Sequence, residues 1–170
     1  MTDKKITTGN TAIDRMFGAL RPKDADTYGL SPEQVILIEL ADRDTAARYM
    51  KSLQQCLYDN GATVAQSLPQ TTIAIEGRGQ VIFMDITPYT AAKQIETVEA
   101  MRKIAKIAGP IVILFDHGGN GGPQRVKHIV DTVLTVEATQ DGFTMHTTKN
   151  RYGESDITLT IPNQPHADTN

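Results

Sequence analysis

The stretch "VILIELADRDTAARYM", residues 35–50, predicts the fold class of this chain. It opens with an apolar, β-branched run that is typical of a strand buried on both faces of a parallel sheet. After a polar turn, apolar side chains recur every three or four residues up to Gly61, which predicts a helix with a C-terminal glycine. A strand that leads directly into a helix often binds phosphate, because the free amides of the helix N-terminus point at the ligand.

The turn in this stretch has the wrong chemistry for a phosphate. It contains no glycine and no lysine, and it carries Glu39, Asp42 and Asp44. Each carboxylate would repel a nucleotide by an energy on the order of 1 kcal/mol, even in a watery environment. We therefore expect the turn to keep the strand-to-helix geometry without binding ATP. Asp44 is expected to cap a helix that starts at Thr45.

Strands and helices alternate along the rest of the chain. A short helix is expected with Thr8 as its N-cap, and a long amphipathic helix is expected between Pro88 and Gly109. Strands are predicted over 62–68, 71–77, 80–86, 111–117, 128–138, 142–150 and 156–161. This order predicts an open α/β sheet that is mostly parallel in its centre, with antiparallel strands at the C-terminal edge.

Composition limits the classes of function. The 170 residues suit one domain, which we expect over 1–163, followed by a disordered tail at 164–170. A net charge of −3 gives no global attraction for nucleic acid, so any such binding would be local. A single cysteine, Cys56, excludes an internal disulfide framework. With no signal peptide and no apolar run of membrane-spanning length in the sequence, we expect a cytoplasmic location.

Two of the predicted strands end in acidic residues, where an open α/β sheet has its working surface. Asp85 ends one apolar run, and Asp116 followed by His117 ends the next. An aspartate in the position of Asp85 holds magnesium through water in nucleotide hydrolases, but a simple turn or cap role is equally compatible with the pattern.

The segment "DHGGNGGPQRVKH", residues 116–128, is the most glycine-rich part of the chain. It is not a P-loop, because no Gly-Lys-Ser/Thr follows the glycines. It is either an ordinary connector or a flexible loop that tracks a phosphate backbone. The candidate DNA-contacting loop comprises His117, Gly118, Gly119, Asn120, Gly121, Gly122, Arg125 and Lys127. The histidines lack the Cys or carboxylate spacing of a metal site, so no metal is expected.

Two cations stand close together in "TTKNRYGES", residues 147–155. Lys149 and Arg151 would point to the same side of an extended chain, since successive side chains alternate. Such a pair can clamp a phosphate or a carboxylate. The alternative is a solvated end of an edge strand, where lysine also discourages aggregation.

These segments resemble the RadA (Sms) branch of the RecA-like ATPases. "GPQRVKHIVDTVLTVEA" followed by "TKNRYGESD" resembles that branch's G-P-R-V-L-E-H-M-V-D-T-V-L segment and its K-N-R-F-G signature. "ITTGNTAIDRMFG" is similar to the S-T-G-x-x-E-L-D-R-V-L-G segment, and "MRKIAKIAGPIVILFDH" is similar to the family's helix and strand that end in Gly-His, with His117 kept. The likeness covers most of 6–160. It fails at the nucleotide loop, and Glu76 is a poor substitute for the catalytic glutamate.

The resemblance implies a RecA-like three-layer core in which Asp85 is Walker B-like. It also implies that the K-N-R-F-G segment lies at a subunit interface and reaches the neighbour's nucleotide. Here that segment is Lys149, Asn150, Arg151, Tyr152 and Gly153. We expect a non-hydrolysing protein without cofactor or catalytic residues that acts in DNA recombination or repair. Its expected partner is a RecA-like or RadA-like ATPase or a second copy of itself, with single-stranded DNA as a further ligand.

Two alternatives remain open at the level of sequence. One is an ATPase or another phosphate-handling enzyme, using ATP and magnesium, with a rebuilt site around Asp85, Asp116 and His117. The other is a RecA-like fold that inhibits an unrelated protein, as the cell-division inhibitor SulA does. In that case the retained cations would be incidental.

Overall fold

The computed structural model describes residues 6–18, 28–66, 80–119 and 122–162. The predicted strand at 71–77, Glu76, the pair Asn120 and Gly121, and the tail at 164–170 lie outside these ranges. Helices in the described part are α1 (Thr11–Phe17), α2 (Arg43–Asp59), α3 (Ala91–Ala108) and α4 (Gln124–Ile129). Strands are β1 (Val35–Leu40), β2 (Thr63–Gln66), β3 (Gln80–Asp85), β4 (Ile111–Asp116), β5 (Thr132–Ala138), β6 (Gly142–Asn150) and β7 (Thr158–Pro162).

The seven strands form one sheet in the order β2-β3-β4-β1-β5-β6-β7. The five strands from β2 to β5 in this order are parallel, and β6 and β7 extend the sheet in antiparallel fashion. The prediction of a mostly parallel sheet with antiparallel strands at the C-terminal edge is therefore confirmed. β1 lies near the middle, between β4 and β5, which explains why its residues are apolar on both faces.

Helices cover both faces of the sheet, so the protein has three layers. Ile36 and Ile38 of β1 pack in one core with α1 and α2, whereas Val35 and Leu37 pack in a second core with α3 and α4. This alternation follows from the pleat, which directs successive side chains to opposite faces. The same rule assigns the polar residues at each strand end to one face or the other.

The predicted N-cap of α1 is wrong. Asn10, rather than Thr8, is the N-cap of α1, because its side chain accepts hydrogen bonds from the amides of Ala12 and Ile13. Thr8 instead donates its amide and its hydroxyl to the buried Asp14, at 2.8 Å each.

The strand expected over 128–138 begins only at Thr132, because residues 128–129 complete α4. α3 agrees with its prediction, with Thr90 as N-cap and Gly109 at its end in the left-handed conformation. No helix among the described residues is both long and apolar enough to cross a membrane.

Candidate functional site

The turn between β1 and α2 keeps the strand-to-helix geometry, and Asp42 occupies its anion-binding position. The Oδ1 atom of Asp42 accepts a hydrogen bond of 2.7 Å from the amide of Thr45. The N-cap is thus Asp42, not Asp44, and the helix begins at Arg43 rather than Thr45. The Thr45 amide lowers the pKa of Asp42, because it stabilises the ionised carboxylate. The Thr45 amide, which could otherwise donate a hydrogen bond to a phosphate oxygen, is therefore already paired.

Asp85 and His117 come together at the ends of β3 and β4. The Nε2 atom of His117 lies 3.1 Å from Oδ2 of Asp85. Since an ionised carboxylate can only accept, Nε2 carries the hydrogen in this contact. Thr87 fixes both partners: its amide donates to Asp85 and its hydroxyl accepts from the amide of His117, at 2.9 Å each. Asp85 therefore has a turn role and also orients an imidazole.

Asp116 points to the opposite face of the sheet from this pair. It follows Val112 and Leu114 on the α3 and α4 side, whereas Asp85 follows Phe83 on the α2 side. Asp116 is buried, and its Oδ1 accepts a hydrogen bond of 2.9 Å from the amide of Gly118. The three residues of the predicted rebuilt site are therefore split, with Asp85 and His117 in contact and Asp116 apart.

Two pockets at this edge reflect the split. One, of about 280 Å³, is bordered by Asp85, His117 and the exposed cations of α2. The other, of about 270 Å³, is bordered by Glu39, Asp116 and Lys127. Asp85 and His117 of the first pocket lie on the α2 side of the sheet, whereas Glu39 and Asp116 of the second follow residues on the α3 and α4 side.

The glycine-rich loop packs against the β1–α2 turn. Gly119 has a φ of +81°, and a Cβ built on it would lie 3.1 Å from the carbonyl oxygen of Ala41. A Cβ built on Gly122 would similarly lie 3.3 Å from Oδ2 of Asp116. Close backbone approach thus explains these glycines without a ligand.

The two cations of the predicted DNA-contacting loop, Arg125 and Lys127, lie near carboxylates of their own chain. The Nζ atom of Lys127 lies 3.4 Å from Glu39 at the end of β1. Arg125 is 66% exposed and lies 3.8 Å from Glu99, so it is the more accessible of the two cations.

Lys149 and Arg151 bind the C-terminal turn of α4. Lys149 donates to the carbonyls of Lys127 and His128, at 2.7 and 3.0 Å, and Arg151 donates to the carbonyl of His128 at 2.8 Å. The last carbonyls of a helix lack intrahelical partners, and cations there also complement the helix dipole. The pKa of Lys149 is lowered by burial and, to a smaller extent, by the nearby charge of Arg151.

Asp131 links these cations to the start of the sheet. Its side chain is 3% exposed, and Oδ2 accepts a hydrogen bond of 2.9 Å from the amide of Val35. Its Oδ1 pairs with Arg102 at 2.5 Å and with Arg151 at 3.2 Å. Asp131 lies in a segment that resembles RadA, but its partners are distant in the sequence and were not predicted, and Arg102 was not expected to take part.

The remaining residues of the predicted interface segment pack on α1. Asn150 donates to the carbonyl of Met16 at 3.1 Å, and a Cβ on Gly153 would lie 3.1 Å from the Cα atom of Gly18. Tyr152 contacts Gly18 through its Cβ and its backbone, and burial raises the pKa of its hydroxyl. The segments 6–18 and 149–153, both parts of the resemblance, therefore lie against each other.

The polar clusters around Asp131 and around Asp42 lie at opposite ends of the parallel strands. We call these ends the amino edge and the carboxyl edge of the sheet. Asp131 binds the first residue of β1, whereas Asp42 follows the last one. Lys149 lies in register with Val133 and, through it, with Leu37 of β1, and the amide of Arg151 donates to the carbonyl of Asp131. Both side chains bind the end of α4 rather than the β1–α2 turn of their own chain.

No known protein-family model matches the chain, and no curated protein is significantly similar to it. Across residues 6–18, 28–66, 80–119 and 122–162, no group of three or more His, Cys, Asp or Glu side chains is arranged to hold a metal ion. The geometry of the two sheet edges is therefore the basis for inferring function.

Proposed function

We propose that this chain is a non-hydrolysing, RadA-like member of the RecA-like proteins that acts by binding an active RecA-like ATPase. Its role would lie in DNA recombination or repair. The observation that carries the proposal is that Lys149 and Arg151 bind the end of α4 and Asp131 rather than groups of the chain's own β1–α2 turn. We therefore assign them to a phosphate of a neighbouring subunit.

The β1–α2 turn supports the non-hydrolysing part of the proposal. Asp42 pairs with the amide of Thr45, and Glu39 pairs with Lys127. A nucleotide at this turn would have to displace Asp42 and would then face its negative charge. The turn also lacks a lysine, which in a P-loop balances the charge of the β- and γ-phosphates.

The contact between 6–18 and 149–153 supports the RadA-like part. Both segments resemble motifs of that branch, although 131 residues separate Gly18 from Lys149 along the chain. In the fold they meet at Gly18 and Gly153, and Arg15 forms an ion pair with Glu154 at 2.6 Å. Motifs that belong to one functional surface are expected to meet in this way.

Arg151 has the freedom that a trans-acting cation needs. Its side chain is 45% exposed, and a guanidinium has five N–H donors, more than its contacts with His128 and Asp131 require. If Arg151 turned toward a partner's phosphate, Arg102 would still neutralise Asp131. The cost of leaving a buried carboxylate unpaired is therefore avoided.

Single-stranded DNA is the proposed second ligand. The exposed Arg125 would contact its backbone, whereas Lys127 would first have to leave Glu39. We expect weak binding that falls steeply with salt, because few phosphates are neutralised and counterion release drives the contact. Affinity that is independent of salt would argue against this part of the proposal.

The test uses ATP turnover by a RadA-type ATPase with and without this protein. The wild-type chain is expected to bind that ATPase and change its turnover at least tenfold, which is modest for a trans-acting arginine. The double variant Lys149→Ala/Arg151→Ala should bind weakly and leave turnover unchanged. A matched double variant on the exposed face of α3, Lys103→Ala/Lys106→Ala, should behave like the wild type.

Because Lys149 and Arg151 also cap α4, the melting temperature of each variant must be measured beside its effect on turnover. Lost turnover control in a variant that is still folded at the assay temperature supports the trans-acting role. An effect that survives the double change excludes that role and favours a SulA-like inhibitor. Failure of the wild-type chain to bind any RecA-like ATPase would contradict the proposal as a whole.

A further inference from the structure

The pocket between α2 and the ends of β3 and β4 has no part in the proposed function. Its volume is about 280 Å³, and its walls include Arg43, Ala47, Lys51, Asp85, Phe115 and His117. This pocket lies on the α2 side of the sheet, away from the cations at the amino edge. Its chemistry can therefore be considered independently of any partner ATPase.

One wall is a positively charged face of α2. Arg43, Ala47 and Lys51 are spaced four residues apart, so their side chains lie on the same side of the helix. All three are exposed, and within the described part of the chain no carboxylate lies within 4.0 Å of either cation. Their Cα atoms are about 12 Å apart along the helix, a gap that two long side chains can close around a small ligand. Ala47 leaves that space open.

The opposite wall is the Asp85–His117 pair. Asp85 is already paired with His117 and with the amide of Thr87, so its charge is partly balanced before any ligand enters. Arg43 and Lys51 together outweigh the single negative charge of Asp85, so the side chains of the pocket carry a net positive charge. When a carboxylate binds one ring nitrogen of an imidazole, the other ring nitrogen can form a hydrogen bond with a ligand.

The floor is apolar, and the volume is small. Ala46, Met50 and Phe115 line it, and Ala46 and Met50 are buried. Pockets for drug-sized ligands range from about 300 to 1,000 Å³, so this one lies at the lower limit. A ligand of a few carbon atoms with one or two anionic groups matches both the size and the apolar floor.

We propose that this pocket binds a small organic anion, with Arg43 and Lys51 holding its phosphate or carboxylate group and His117 contacting its polar body. Guanidinium and ammonium groups bind both kinds of anion. The apolar floor would favour an organic anion over inorganic phosphate. The site begins at Arg43, next to the β1–α2 turn, but it does not use the Thr45 amide that is bonded to Asp42.

The test is a titration of the ¹⁵N-labelled full chain followed by amide chemical shifts. The probes are glycerol 3-phosphate, succinate and inorganic phosphate, with glycerol as the neutral control. Glycerol 3-phosphate or succinate is expected to shift the amides of residues 43–54 and 115–117, with weaker binding of inorganic phosphate and none of glycerol. The stronger of the two organic probes identifies the anionic group.

Matched lysine variants give the decisive comparison. Lys51→Ala removes an exposed cation of the pocket, and Lys103→Ala removes an exposed cation of α3 that lies outside it. Because a charge-assisted hydrogen bond is lost, Lys51→Ala should weaken binding about tenfold, and Arg43→Ala should do the same. Lys103→Ala should leave the affinity unchanged. Equal effects of the two lysine changes would overturn the proposal. An absence of amide shifts at the pocket with every anion at about 10 mM would overturn it too, because a weaker dissociation constant does not define a specific site.

Discussion

The two edges of the parallel sheet differ in how fully their polar side chains are bonded within the chain. At the amino edge, Asp131 is buried and makes three contacts, and Lys149 and Arg151 saturate the end of α4. At the carboxyl edge, two pockets remain open, and Arg43 and Lys51 face one of them without a carboxylate partner among the described residues. The predicted resemblance to RadA rests largely on segments at the first edge, and it does not extend to the β1–α2 turn at the second edge.

This difference separates polar groups whose loss should reduce stability from polar groups whose loss should not. A network that satisfies a buried charge and a helix end stabilises the fold whether or not it also meets a partner. Open pockets with unsatisfied cations contribute little to stability and are therefore candidates for ligand binding. We thus expect substitutions at the amino edge to reduce stability more than substitutions at the carboxyl edge.

The largest effect is expected for Asp131→Ala. This change leaves Arg102 and the amide of Val35 without their buried partner, and breaking a buried ion pair typically costs about 3–5 kcal/mol. Urea unfolding would measure it, with Asp85→Ala at the carboxyl edge as the comparison. A loss of stability as large for Asp85→Ala as for Asp131→Ala would remove the contrast between the edges.

The next largest effect is expected for Gly18→Ala, where the two resembling segments meet. Gly18 has a φ of +118°, and a Cβ there would lie 2.6 Å from the Cβ of Tyr152 and 2.8 Å from its carbonyl oxygen. Gly61→Ala is the matched control, because its φ is +93° and nothing lies within 4 Å of the added Cβ. We expect roughly 1 kcal/mol of destabilisation for Gly61→Ala and roughly 2–4 kcal/mol for Gly18→Ala.

Equal destabilisation in the two alanine variants, measured by thermal unfolding, would show that Tyr152 does not pack on Gly18. The interface segment would then be free of α1, and the argument from the contact between the two motifs would fail.

A smaller effect is expected for Asp42→Ala, which removes the cap of α2. At neutral pH, Asp42→Ala should lower the urea concentration at the midpoint of unfolding, and Asp44→Ala should change it less. Asp42→Asn should largely preserve the cap. The folded-state pKa of Asp42 lies below its ordinary value of 3.8. Its ionised form therefore stabilises the fold above that value, and this contribution is lost as the pH falls through the folded-state pKa.

The difference between wild type and Asp42→Ala should accordingly shrink as the pH is lowered below about 4. A difference that grows on acidification would show that Asp42 is not held as an ionised cap.

Periodicity accounts for the parts of the fold that sequence predicts well. The apolar runs that became β1, β3 and β4 and the helical stripes of α2 and α3 are long enough for their repeat to be unambiguous. The helix N-caps were harder to assign. Thr8 and Asn10 have similar preferences for the N-cap position, and so do Asp42 and Asp44. The choice depends on where the preceding strand or bridge ends.

The site was predictable only where a local rule applies. Asp116 ends β4 and His117 follows it directly, so the pleat directs their side chains to opposite faces, and their separation could have been inferred. The partners of Lys149 and Arg151 could not, because they depend on how β6 lies beside β5 and how α4 ends above them. Asp131 shows the same limit: its role comes from Val35 and Arg102, which are distant in sequence.

The most direct test of the central claim is titration of the chain with ATP and magnesium, followed by the melting temperature. Binding raises stability by RT ln(1 + [L]/Kd), so millimolar ATP reveals even weak sites. We expect no rise in melting temperature and no shift of the amides at residues 41–42, because Asp42 occupies the turn. Micromolar binding that shifts those amides and persists in Lys51→Ala would contradict the account, since the nucleotide would then be held at the β1–α2 turn.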